Sequence, residues 1–245
     1  MLKKSIARLH RFAAARFSPE GEYGLHLTVG VALLLLATAA FARVAGAVVS
    51  GAPITMLDVE LANWLHAHAR ASEGLRLVML LVTHMHSTPG VLALATLAAL
   101  WLYRAGQRYW LLALVTAVPG GMMLNVALKH TFERSRPQFE EPLLTLATYS
   151  FPSGHTVAAT LLYGLLACYG ARHARSWMGR VAPALAAALM VALVGMSRMY
   201  LGVHYLSDVL AAVAEGCAWL AVCITGAATL NRRQLARQQA MRHAA

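Results

Sequence analysis

Ser197-Arg198-Met199-Tyr200-Leu201-Gly202-Val203-His204-Tyr205-Leu206-Ser207-Asp208 is the stretch that decides the fold. Long apolar runs flank it on both sides, so it reads as the polar turn between two membrane helices. It gathers a guanidinium, an imidazole and a carboxylate in one short segment. His204 and Asp208 are four apart, so on a helix they share a face and the carboxylate can hold the ring. Arg198 lies one short turn upstream, within reach of an anion bound at the imidazole. Charged groups beside a membrane are costly unless they do chemistry or recognise a charged ligand.

The surrounding chain has the composition this requires. Of its 245 residues 59% are hydrophobic and 13% charged, with mean hydropathy +0.57. That is too apolar for an ordinary soluble domain and predicts a polytopic membrane protein. Six segments approach the roughly 20 apolar residues that a bilayer crossing needs. They run from Leu25 to Phe41, Pro89 to Tyr103, Tyr109 to Leu128, Gly154 to Gly170, Val181 to Met199 and His204 to Leu230. The second and fourth are short. Ala40-Phe41-Ala42 resembles a signal cleavage site, but the first apolar run exceeds the roughly 7–15 residues usual there, so a retained span is expected.

The net charge of +11 raises a nucleic-acid role, and its distribution argues against one. Lys3, Lys4, Arg8, Arg11 and Arg16 precede the first span. Arg104 and Arg108 join the second to the third, and Arg172, Arg175 and Arg180 join the fourth to the fifth. Arg232, Arg233, Arg237 and Arg242 follow the sixth. If six spans alternate, these fourteen of the 21 Lys and Arg fall on one side, and short basic loops stay in the cytoplasm. The predicted layout is a basic cytoplasmic segment at 1–24, a membrane domain at 25–230 and a basic cytoplasmic tail at 231–245. The basic ends are expected to touch anionic headgroups, and no nucleic acid is expected as a partner.

Other features read blandly. Cys168, Cys217 and Cys223 all fall in predicted spans, as small apolar packing residues. From Val49 to Ser87, Ile54, Leu57, Leu61, Trp64 and Leu65 recur at helical spacing, predicting an amphipathic helix in the outer interface. The pairs His66/His68 and His84/His86 face different sides of a helix and lack a completing ligand, so no metal is expected there. Glu215 lies seven residues past Asp208 on the same helix face, deep in the membrane. It is expected to be protonated or hydrogen-bonded within the bundle, with no assigned role.

Three polar clusters carry chemistry. Lys129-His130-Thr131-Phe132-Glu133-Arg134-Ser135-Arg136-Pro137 ends the third span. Lys129 and Arg136 converge there if the helix continues or the loop folds back, and Pro137 discourages helix after Arg136. Pro152-Ser153-Gly154-His155 opens the fourth span. A helix N-terminus offers unpaired N–H groups to a phosphate, Gly154 allows close approach and Ser153 adds a hydroxyl. The third cluster supplies Arg198, His204 and Asp208. With the N-terminus inside, all three meet at the outer face. Together they offer three cations, a helix N-terminus and two imidazoles: a phosphate site with a candidate nucleophile and acid. The expected fold is therefore all-α, a six-span transmembrane helical bundle with its active site at the outer membrane face.

Read as K-x6-R-P, P-S-G-H and S-R-x5-H-x3-D, the clusters match in full the three-part signature of the type 2 phosphatidic acid phosphatase and vanadium haloperoxidase superfamily. Gaps of 14 residues from Pro137 to Pro152 and 41 from His155 to Ser197 fit it as well. The motif core spans 129–208, and the layout resembles the integral-membrane lipid phosphatase branch. The resemblance implies that His204 attacks phosphorus to give a phosphohistidine and that Asp208 orients its ring. It implies that His155 protonates the leaving oxygen and then activates water. Lys129, Arg136, Arg198, Ser153 and the Gly154 amide would bind the phosphate oxygens. Fixed cations would stand where other phosphatases use a metal, so neither metal nor cofactor is expected.

An outward phosphate site at a membrane suits an amphiphilic phospholipid or isoprenoid phosphate whose tail stays in lipid. The Ala- and Arg-rich composition points to a bacterium, so the expected location is the inner membrane with the site facing the periplasm. Undecaprenyl diphosphate is the first expected substrate, by family analogy. Phosphatidylglycerophosphate, phosphatidate and lipid A phosphate are the alternatives. A lipid phosphotransferase would use the same phosphohistidine. A non-enzymatic lipid binder or transporter would need the cations but not the His155, His204 and Asp208 set.

Overall fold

The structure is a computed structural model describing residues 16–18 and 24–244. Lys3, Lys4, Arg8 and Arg11 of the basic N-terminal segment lie outside the described residues. Among those described, eight helices of more than one turn follow in order, and every regular element is helical. They are α1 (Leu25–Val49), α2 (Ile54–Ala71), α3 (Glu73–Met85), α4 (Thr88–Arg104), α5 (Arg108–Phe132), α6 (Gly154–His173), α7 (Trp177–Tyr200) and α8 (Leu206–Ala244).

Each predicted span coincides with a helix, but the helices differ in kind. By length and apolarity α1, α5, α7 and α8 can each cross a membrane. The second predicted span, α4, is 17 residues and reaches crossing length only together with α3, from which it bends by 58°. This corrects the reading of 49–87 as one interfacial helix. Ser72, in extended conformation, separates α2 from α3, and the end of α3 turns into the bundle, burying Thr83 and His86. The chain is thus a multi-pass membrane protein with four candidate spans, or five counting the bent pair.

α6 falls short of the apolarity of a lipid-facing span for a structural reason. It packs against α5, α7 and α8, and nine of its residues are buried. A helix shielded by other helices can carry Thr156 and Thr160, because their hydroxyls find partners inside the protein. Between helices in lipid, close packing of small residues replaces the hydrophobic drive. A Cβ at Gly216 of α8 would stand 2.7 Å from Thr160 of α6, so only glycine permits this crossing.

α8 runs 39 residues, about 58 Å at 1.5 Å per residue. The basic tail predicted as a separate segment is its continuation, with Arg233, Arg237 and Arg242 exposed. Of the cysteines, Cys223 is buried in the core, whereas Cys168 and Cys217 lie on the protein's surface within α6 and α8.

Candidate active site

The three clusters meet at one end of the bundle. α5 ends where Glu133 adopts a left-handed conformation (φ 45°), its N–H bonded to Lys129 O at 3.0 Å. The chain then folds back, so the loop route to convergence is the one realised. Arg136 reaches across to donate to Val203 O at 2.7 Å and lies 3.3 Å from His204 Nε2. Lys129 donates to Tyr149 O at 2.6 Å and Ser150 O at 3.3 Å, which leaves one of its three ammonium donors.

Ser153 is the N-cap residue of α6, Gly154 its first residue and His155 its second. Ser153 N–H donates to Asp208 O at 3.2 Å, tying the second cluster to the third. A Cβ placed on Gly154 would lie 3.9 Å from Lys129 Cε and 3.1 Å from Asn125 Oδ1, so the second cluster also abuts the first. Among the described residues no side chain caps α6, so its first N–H groups keep the positive end of the helix dipole available to an anion.

His204 is not the first residue of the last helix, as the sequence reading had it. The α7–α8 turn closes at Gly202 (φ 71°), and α8 starts at Leu206, leaving His204 in the connection. The expected contact forms nonetheless. His204 Nδ1 lies 3.2 Å from Asp208 Oδ2, with Asp208 fully buried. An ionised carboxylate only accepts, so it takes the Nδ1 proton and leaves the Nε2 lone pair toward Arg136. Burial, reinforced by Arg136 and Arg198 and opposed by Asp208, pushes the ring down to about 3. Nε2 is then unprotonated at neutral pH. Because this pKa lies below the working range, lowering the pH from 7 to 5 leaves the ring neutral. Nitrogen-15 NMR of histidine-labelled protein is expected to show the neutral signature for His204 at pH 5.

Asp208 holds its place through donors that the sequence did not announce. Ser150 Oγ and Tyr205 N–H donate to Oδ2, the latter at 2.9 Å, and Arg134 donates to Oδ1 at 2.6 Å. Arg134 also forms a 2.8 Å ion pair with Asp58 of α2 and lies over the Tyr205 ring at 4.4 Å. Asp58, itself buried, accepts from Ser207 N at 2.9 Å and from its hydroxyl. Arg134 therefore joins two buried carboxylates, and removing it leaves both uncompensated. Arg134→Gln is expected to destabilise the protein by about 3–5 kcal/mol, seen as a drop on the order of 10 °C in its unfolding midpoint. A midpoint within a degree or two of wild type would refute this coupling.

Arg198 is buried at the end of α7, where NH1 donates to Thr83 Oγ1 of α3 and Nε has no hydrogen-bond partner among the described residues. A buried guanidinium with an unmet donor favours an anionic ligand. Glu215 accepts from Asn125 Nδ2 at 3.0 Å, and the same amide lies 3.4 Å from Pro152 O, so Glu215 sits one layer beneath the α6 start. The four histidines of 49–87 have other partners: His66 stacks on Phe139, His68 and His84 bond backbone carbonyls of their own helices, and His86, just past α3, bonds Val82 O.

The chain matches the PAP2 superfamily over residues 108–232, just over half its length. Phosphatidylglycerophosphatase B of Bacillus subtilis (strain 168) is 35% identical over 143 residues, 57% of this chain and 68% of that protein. A crystal structure of a transmembrane PAP2 type phosphatidylglycerolphosphate phosphatase from Bacillus subtilis aligns with TM-score 0.68 at 26% identity, over 79% of this chain and 93% of that one. Aquifex aeolicus LpxE aligns with TM-score 0.51 over 68% of this chain and 94% of its own, and at 22% identity the likeness is one of fold.

Proposed function

The chain belongs to the PAP2 superfamily and is a lipid phosphatase, and on that premise we propose that it removes the terminal phosphate of a glycerophospholipid monoester, phosphatidylglycerophosphate first among them. The observation that carries the mechanism is His204, bound through Nδ1 to Asp208 with Nε2 facing Arg136. In the first step Nε2 attacks phosphorus while the bond to the leaving oxygen breaks, and His155 gives that oxygen its proton. Arg136, Arg198, Lys129, Ser153 and the Gly154 amide hold the equatorial oxygens, where charge is spread in the transition state. In the second step water attacks phosphorus, His155 takes its proton, and the P–N bond breaks to release phosphate. Asp208 stays ionised throughout and stabilises the charged ring. Vanadate, which mimics pentacoordinate phosphorus, is expected to inhibit, and EDTA to leave the rate unchanged.

The substrate choice replaces undecaprenyl diphosphate as the leading candidate. Phosphatidylglycerophosphatase B of Bacillus subtilis shares 35% identity with this chain, and its name supports a glycerophospholipid monoester. Phosphate release by purified protein from phosphatidylglycerophosphate, undecaprenyl diphosphate, phosphatidate and lipid A tests the assignment. The first is expected to give the highest kcat/KM; faster turnover of undecaprenyl diphosphate would reverse the choice.

The same reading has six crossings in a bacterial inner membrane, with α6 as the shielded fourth crossing in the core and the α3–α4 pair as one bent crossing. Both basic ends lie in the cytoplasm, and the phosphate site faces the periplasm. Basic residues at the ends of α4, α6 and α8 away from His204 support this orientation. In a variant lacking Cys168, Cys217 and Cys223, Ala147→Cys is expected to react with an impermeant thiol reagent in intact spheroplasts, and Arg175→Cys only after permeabilisation. The opposite pattern would put the site in the cytoplasm.

A further inference from the structure

The end of the bundle opposite His204 carries a second concave surface that the phosphatase reading leaves unused. The α4–α5 turn, the end of α6 and the middle of α8 meet there. Between them lies a cleft of about 540 Å³, bordered by Arg108, Tyr109, Trp110, Arg172, His173 and Asn231. Tyr109, Trp110, Arg172 and Asn231 also line an adjoining cavity of about 460 Å³. The wall of that cavity is apolar where it runs into the membrane domain, along Ala113, Cys168, Ala171, Ile224 and Ala228, and Arg232 stands on its rim.

Three features of this surface converge on one ligand chemistry. Among the described residues its charge is of one sign: Arg108, Arg172 and Arg232 line the two cavities, with no Asp or Glu among the described lining residues. It contains the N-terminus of the 25-residue α5, whose N-cap Gln107 makes no side-chain cap, so free N–H groups and the positive dipole end lie at the cleft. It is amphiphilic, with a polar cationic mouth continuous with an apolar cavity between spans. A soluble anion would leave the apolar wall uncovered, and a neutral lipid would leave the Arg108 and Arg172 charges unanswered. Trp110 and Tyr109, at the junction, are the residue types that settle at the headgroup boundary.

We propose that this surface binds one anionic glycerophospholipid, its phosphodiester held by Arg108, Arg172 and the α5 N-terminus and one acyl chain lying in the apolar cavity. The site is separate from the catalytic end, since α5, α6 and α8 each run from one to the other. Nothing in the proposal depends on the phosphatase chemistry. Basic pockets between membrane helices are suited to such headgroups, and each arginine near them strengthens binding.

The test is native mass spectrometry of the delipidated full-length protein, titrated with dioleoyl phosphatidylglycerol or dioleoyl phosphatidylcholine. Vanadate is present throughout to occupy the phosphate site. Wild-type protein is expected to retain one phosphatidylglycerol in preference to phosphatidylcholine. Arg108 and Arg172 are exposed, so the R108Q/R172Q double variant is expected to fold. It should lose that preference on the order of ten- to thirty-fold. Ala228→Phe, which fills the apolar cavity, is expected to weaken phosphatidylglycerol with all charges kept. Both variants should hydrolyse substrate within about two-fold of wild type, which also reports their folding. Equal retention of the two lipids by wild type, or an undiminished preference in R108Q/R172Q, would overturn the proposal. Unchanged phosphatidylglycerol binding by Ala228→Phe would remove the acyl chain from the cavity and overturn it as well. A wild-type protein that binds phosphatidylglycerol but releases no phosphate from any lipid would sink the phosphatase reading alone.

Discussion

Substituting alanine for His204 is expected to reduce turnover by roughly 10³-fold or more while leaving the protein folded in the membrane. The ring is the group whose Nε2 lone pair faces the Arg136 guanidinium, where the phosphate is proposed to sit, and alanine offers no nucleophile in its place. Lys129, Arg136 and Arg198 remain in the variant, so lipid binding is expected to persist and the loss to fall in kcat rather than KM. His204 bonds Asp208 but anchors no helix itself, so the unfolding midpoint should move little. If the alanine variant kept more than a few per cent of wild-type kcat, the covalent route through His204 would be wrong.

Asp208→Asn is expected to cost on the order of 10³- to 10⁴-fold in kcat, the scale seen when an orienting carboxylate is neutralised beside a catalytic histidine. The carboxylate receives His204 Nδ1, Ser150 Oγ, Tyr205 N–H and Arg134, all donors. An amide puts an NH₂ group in place of one oxygen: at Oδ2 it meets His204 Nδ1, Ser150 and Tyr205, and at Oδ1 it meets Arg134. Where it faces Nδ1 it turns the tautomer and places the proton on Nε2, which removes the attacking lone pair. Where it faces Arg134, a cation is left against a donor. The two outcomes separate by measurement. Loss of kcat with an unchanged unfolding midpoint marks the tautomer, and loss of both marks the Arg134 network. Wild-type kcat in this variant would mean that Asp208 does not set the state of the ring.

Much of this site was legible in the sequence because its residues lie at fixed local spacings. His204 and Asp208 are four apart, and the segments carrying Lys129, Ser153 and Arg198 each mark the end of an apolar run. Alternation of helices then brings those ends together. What the sequence hid was long-range. Asp58 reads as one more polar residue on an amphipathic face, and only the fold sets it beside Arg134, 76 positions away, and Ser207, 149 away. Arg134 lies inside the first cluster, yet K-x6-R-P passes over it, so its link to both carboxylates had no local signature. Thr83 was likewise placed in an interfacial helix, whereas the α3–α4 bend carries it to Arg198. Hydropathy misjudges α4 and α6 for opposite reasons. α4 shares its crossing with α3, and α6 is lined by protein rather than lipid.

The central claim is a phosphorus–nitrogen bond on His204, and trapping it is the most direct measurement. Protein mixed with lipid carrying a labelled terminal phosphate would be quenched in alkali within milliseconds, digested and mapped by mass spectrometry. The account predicts labelled phosphate on the peptide containing His204 and none in His204→Ala. Label on any other residue, or wild-type turnover with no labelled protein at any quench time, would contradict it.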